Sequence, residues 1–535
     1  MGISRMRTRL PVKKKSGLLL ALVLLACGAP PAVQTSASAG TQGARAKAPA
    51  ADPLVAAATS PGAPVAPLSP VAVEQELERI AGPAGPDTAG QRFWPGFDPL
   101  AIPLALYDGQ ATWLFRHPHP PAEFGPGRGG ARIADGRPET LRANTGAEIG
   151  GVPTATLLLT LAHSARDWAA VAVHEAFHVF SRQHHPGWAG DEMELFVYPL
   201  EAKEPLALRR QETQALRRAL AASTTGDIAA TSCWADLAVR LRKERFALLP
   251  KEAVAYERGT ELNEGLATYV EGLARGESGM DLPADDFPTE KVRDRAYVVG
   301  RAEAILLDRL DSSWKERLDG AKEGQPGTLD ELLAAASAVR SGPHPCALSP
   351  GEIAAAVRRA GEDLDRLAHE RQAARAAFLG KPGWSVIVLA ADDPLWPQGF
   401  DPLNVLRLGE GEVLHRRWVK LGNGDAEFEV LDREALTQGV GPHPILQGVR
   451  QLTVTGLPEK PEVREQGGWA RLKAPGFTAK LKSATLEISH REVRIKLKGA
   501  AVPPVSPRVS APSPAPPPGA AAAPHREPGP PTSTG

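Results

Sequence analysis

Residues 171–180 read VAVHEAFHVF, and the fold of the middle of the chain turns on how this stretch is read. His174 and His178 are four apart, so on a helix they share a face and aim two imidazoles at one point. Glu175 is offset by one position and stands beside that point without competing for it. Val173, Ala176, Phe177 and Phe180 form the apolar side that would dock the helix in a core. Upstream, Ser164 and Asp167 have the spacing of an N-cap and its acidic partner. Together these predict a helix from Ser164 to about Gln183.

The order His174-Glu175-x-x-His178 is the H-E-x-x-H pattern. In it two histidines on one helical face hold zinc and the glutamate acts as general base. Zinc in a catalytic site takes three protein groups and keeps one position open for water. A third ligand is therefore needed. Residues 261–272, ELNEGLATYVEG, offer one. Glu257, Glu261, Glu264, Thr268 and Glu271 share one helical face, which could face the histidine pair as ligand and outer support or be a solvated acidic face.

Asn263-Glu264-Gly265-Leu266-Ala267 resembles the N-E-G-x-A segment of gluzincins, the thermolysin-like clan that includes aminopeptidases. The resemblance implies an α+β protein with a mainly helical, zincin-like catalytic domain. It implies Zn2+ held by His174, His178 and Glu264, with Glu175 as base and a peptide or protein substrate. It covers two short segments. The distance from His178 to Glu264 is far longer than is usual in the clan, and an inserted helical hairpin at about 191–246 would account for it. No segment of the kind that anchors a free amino terminus in the aminopeptidases is present.

Two other residues compete with Glu264 as third ligand. Glu261 lies on the same face as Glu264. His184 follows His178 by six residues, as in the metzincin pattern, but Ser181 stands where that pattern needs a helix-breaking glycine. Met280 has no local support as a Met-turn. Glu264 is preferred. Tyr297, in RAYVVGRAEAILLDRL, either stabilises an oxyanion, as a tyrosine so placed often does in the clan, or packs between helices. His117 and His119 read as a Pro-rich loop, and His185 as a helix-end residue. Strand 154–161, TATLLLTL, reads as core, though it could pair with an extended substrate.

The chain has 535 residues, which predicts two or three domains. Lys+Arg and Asp+Glu are both 62, so no basic surplus exists for a nucleic-acid partner. Residues 1–27 read as a signal peptide: a basic start, then LLLALVLLA, which is too short to span a membrane. Leu24-Leu25-Ala26-Cys27-Gly28 resembles a bacterial lipobox, which implies lipidation of Cys27 and a protein exported to the cell envelope, tethered by lipid. An ordinary secretory signal is the alternative. In an oxidising compartment Cys233 and Cys346 form a disulfide or remain as two buried thiols.

Residues 28–75 read as a disordered Ala/Pro-rich tether and 501–535 as a disordered tail. Between them we expect a β-rich module at 76–150, the helical domain at 151–380 and a second β-rich domain at 381–500. WPGFDPL at 94–100 recurs as WPQGFDPL at 396–403, which favours related modules over a turn used twice by chance. Ser349 and Glu352 form a capping box that opens a helix to about Leu379. A protein that has lost catalysis and binds an envelope partner is the rival reading, and an intact Glu175 speaks against it.

Overall fold

A computed structural model describes residues 69–82 and 93–497, with short breaks at 139–140, 142–143, 161–162, 323–326, 339–344, 391–392, 402–403, 410, 442 and 483. The expected signal peptide, Cys27, nearly all of the tether and the C-terminal tail lie outside the described residues. The described part is α+β. It forms two compact units divided after Ala373.

The described part of the first unit begins with α1 (Pro70–Ala81), a helix that starts inside the stretch expected to be tether and runs on into the stretch expected to be β-rich. Val73, Leu77 and Ile80 recur at helical spacing and are buried, which is enough apolar surface to order this segment. Six strands follow: β1 (Leu104–Tyr107), β2 (Ala111–Phe115), β3 (Gly125–Pro126), β4 (Arg132–Asp135), β5 (Thr145–Ile149) and β6 (Val152–Leu158). They form one sheet in the order β3-β4-β2-β1-β6-β5. β6 pairs parallel with β1 and antiparallel with β5. The boundary expected at residue 150 therefore falls inside a sheet, and β6 has no open edge to offer a substrate.

The helices are α2 (Ala165–His184), α3 (Lys203–Thr224), α4 (Ile228–Ala247), α5 (Lys251–Thr260), α6 (Leu266–Arg275), α7 (Val292–Leu310), α8 (Trp314–Asp319), α9 (Leu329–Ala338) and α10 (Pro350–Leu379). A π-turn, Glu261–Gly265, joins α5 to α6 without a break in the helix. One core runs from Val73 to Leu348 and takes side chains from both sheet and helices. Sheet and helices are thus one folding body.

The capping box on α2 forms as the sequence predicts. The Ser164 hydroxyl accepts from the Asp167 amide, and the Asp167 carboxylate accepts from the Ser164 amide. Phe177 and Phe180 anchor the helix on the side away from the histidines. Trp94 meets Phe177 at 5.7 Å between ring centroids, and Phe97 meets Phe177 and Phe180 at 5.3 Å each. Burying each such ring stabilises the helix position by about 1.5–3 kcal/mol. The WPGF turn at 94–97 is therefore a plug beneath α2. Its echo does something else: Trp396 is 46% exposed and lies in the strand Trp396–Phe400. The two copies share a turn-forming sequence and not a structural role.

Cys233 and Cys346 are bonded across 113 residues of chain. The second unit contains a seven-stranded and a six-stranded sheet. They share a core built from Val386, Val388, Leu421, Phe428, Leu452 and Leu481, among others. Among the described residues no helix is long and apolar enough to cross a membrane.

Candidate metal centre

α2 and α6 lie side by side, so the His174-His178 face of α2 looks at the start of α6 and the π-turn before it. His174, His178 and Glu264 are 7%, 6% and 3% exposed. The two Nε2 atoms are 3.1 Å apart. Glu264 Oε2 lies 3.1 Å from His178 Nε2 and 3.8 Å from His174 Nε2. Bonds of about 2.0–2.1 Å set tetrahedrally around zinc place donor atoms about 3.3 Å from one another. The three atoms therefore stand at the separations of one metal's ligands. They are the one such group of His, Cys, Asp or Glu among the described residues.

The other ring nitrogens are held from the facing helix. His178 Nδ1 donates to Asn263 Oδ1 at 3.2 Å. His174 Nδ1 lies 3.1 Å from Glu271 Oε2, an ion-pair contact rather than a well-aligned hydrogen bond. An acceptor beside each Nδ1 favours a proton there, which would leave the Nε2 lone pairs for a cation. Arg275 completes the chain. It grips Glu271 at 2.8 Å and Asp167 of the α2 cap at 2.6 Å. The start of α2 and His174 are thereby tied through three charged side chains.

The histidines and carboxylates inside the site shift one another's protonation. Burial pulls the His174 imidazole toward neutrality, but the Glu264 and Glu271 carboxylates reverse this and hold its pKa well above the ordinary value. Burial would raise Glu264, yet His178, His174 and Arg293 hold it well below the usual carboxylate range. Glu271, pushed up by burial, is drawn down to about 2 by His174 and Arg275. Burial raises the pKa of Glu175, the histidines pull it back, and the neighbouring carboxylates add to the rise. Glu175 is 2% exposed, and its Oε2 has no hydrogen-bond partner. Buried polar atoms without partners are costly, and Glu264 Oε2 is another. A divalent ion at the point of convergence would engage the second directly.

The rival ligands point elsewhere. His184 Nδ1 donates to the Phe180 carbonyl at 2.9 Å, and its ring stacks on Phe180 at 4.2 Å. Ser181 continues α2, so the chain does not turn back to bring His184 in. Glu261 pairs with Arg242. Burial pushes its carboxyl up to about 7 despite that arginine. The single acidic face expected along 257–271 is in fact split by the π-turn, whose extra residue changes the angular register. Glu257 and Glu261 turn toward Arg245 and Arg242, while Glu264 and Glu271 turn toward the histidines.

α3 and α4 form the expected hairpin, but it is no appendage. Glu212 from α3 binds Arg245 at 2.8 Å and Arg242 at 3.3 Å, and takes Arg295 from α7 at 2.8 Å. This buried network forms the wall behind the π-turn. Tyr297 lies with its ring under the Arg293 guanidinium, 5.1 Å from the ring centre. His117 Nε2 donates to the Ile149 carbonyl at 2.9 Å, and His185 Nε2 donates to Asp319 at 2.8 Å. Both are structural contacts. Arg293 itself touches Glu264, and no pattern in the sequence marks it.

Comparison of the chain with family models, with curated proteins and with solved structures returned no match.

Proposed function

We propose that the protein is a zinc-dependent hydrolase of gluzincin type that cleaves peptide bonds. The observation that carries this reading is the convergence of His174 Nε2, His178 Nε2 and Glu264 Oε2 at ligand separations, with Glu175 beside them. Two imidazoles and a carboxylate suit zinc among the common metals. Bound there, zinc would polarise a carbonyl and lower the pKa of water. Glu175 takes the proton of the attacking water and returns it to the leaving amine, a task for which a carboxyl raised above its usual range is suited. Asn263 and Glu271 keep the two imidazoles oriented through the reaction. Tyr297, whose ring packs against Arg293, is the sequence's candidate to stabilise the oxyanion.

The peptide substrate follows from the resemblance of the Asn263–Ala267 segment to the gluzincin one. Placement at the cell envelope by a lipid on Cys27 follows from the basic, apolar and cysteine-containing N-terminus. The Cys233–Cys346 bond is in keeping with an oxidising compartment.

Glu175→Gln tests the chemistry. The variant should keep its metal and lose about 10²–10⁴-fold in kcat on a mixed peptide library read by mass spectrometry. A variant that cleaves as fast as the parent removes Glu175 from the mechanism.

A further inference from the structure

Glu264 has two carboxylate oxygens, and the site treats them differently. Oε2 faces the two Nε2 atoms and has no hydrogen-bond partner. Oε1 receives two donors: Arg293 Nη2 at 3.1 Å and Asn263 Nδ2 at 3.4 Å. Arg293 is held in turn. Its Nε donates to Glu192 Oε1 at 3.1 Å, from the 3-10 turn Glu192–Phe196, and the Tyr297 ring lies beneath its guanidinium. A planar fork gripped by two carboxylates and an aromatic face has little freedom to leave Oε1.

We propose that Arg293 is a positioning residue that keeps Glu264 Oε1 occupied, so that Oε2 alone is presented to the metal. This rests on the metal reading above. A carboxylate with both oxygens free can bind an ion through either or both, which fills the position a water needs. By occupying Oε1, Arg293 preserves the open position. It also accounts for Tyr297 and Glu192 as supports of Arg293.

Cobalt(II) tests this without relying on catalysis, because its visible absorption is intense in four-coordinate sites and weak in six-coordinate ones. Wild type, Arg293→Gln and Arg293→Lys are stripped of metal and titrated with cobalt against a competing chelator dye, with thermal melting as a check on folding. Arg293→Gln should bind cobalt about 10–100-fold more weakly, the usual cost of losing an outer partner of a ligand. Its visible band should lose intensity as the freed oxygen joins the ion. Arg293→Lys keeps the charge but cannot bridge Glu264 and Glu192, and should fall between the two. If Arg293→Gln does not fold, the lysine variant decides: weaker binding with a native melt supports the role. A folded variant with the affinity and the band of wild type overturns it. A wild type that takes up no cobalt overturns the metal reading itself, a distinguishable failure.

Discussion

Asn263 and Glu271 decide which nitrogen each histidine offers. With Nδ1 of His178 on Asn263 and Nδ1 of His174 beside Glu271, both Nε2 atoms are left to converge. At this scale the shared direction of His174 and His178 was legible, because four-residue spacing on a capped helix fixes the direction of two side chains before any tertiary contact is known. Glu264 was legible only through its neighbours Asn263 and Gly265. Arg293 was not legible at all. It reaches Glu264 from a different helix, 29 residues further along the chain, and nothing in its local sequence marks it. The split of the acidic row was equally hidden, since a π-turn leaves no mark in ELNEG that a continuous helix would lack.

Gly265 shows how elements are brought close enough for these contacts. A Cβ at Gly265 would stand 2.7 Å from the Gly300 Cα of α7, and one at Gly300 would stand 2.8 Å from the Glu261 carbonyl. The two glycines let α7 and the π-turn approach backbone to backbone, and that approach carries Arg293 to Glu264. Gly265→Ala should therefore push the helices apart. We expect a loss of about 1–3 kcal/mol in denaturant unfolding, typical of overpacking, together with weaker metal binding. Unchanged stability would show that the crossing has room to spare. Both capping boxes, and with them the limits of α2 and α10, could be read from the sequence, since caps are local. The continuity of the first sheet could not. β1 and β6 pair across about 50 residues, and such non-local pairing has no signature at the residues involved.

In the whole molecule, titratable groups are buried in both units, Glu212 ionised in the first and His415 neutral in the second, and in each a depressed pKa makes stability fall as pH falls. Behind the candidate metal site Arg242, Arg245 and Arg295 are sunk among carboxylates, and Glu212, despite burial, is held ionised by all three. In the second unit His415 has no such company. Its Nε2 meets the Thr437 hydroxyl at 3.0 Å, its Nδ1 has no hydrogen-bond partner, and burial pushes its pKa down to about 3. The folded unit keeps the ring neutral, whereas the unfolded chain binds a proton below about 6.5. His415 thus contributes stability that is complete above pH 6.5 and is lost as pH falls toward 3, by roughly 1 kcal/mol per pH unit. Calorimetry at pH 7.5 and pH 5 should show one transition dropping in wild type and dropping less in His415→Gln. An equal drop in both would assign the acid sensitivity to other groups.

If the proposed function is right, His174, His178 and Glu264 hold a metal. The most direct test is elemental analysis of protein purified without chelators or a His tag, for wild type, Glu264→Ala and His184→Ala. Wild type and His184→Ala should each carry about one zinc per chain, and Glu264→Ala should lose it. A metal-free wild type that takes up no added zinc, or a Glu264→Ala variant with its full complement, would contradict that reading.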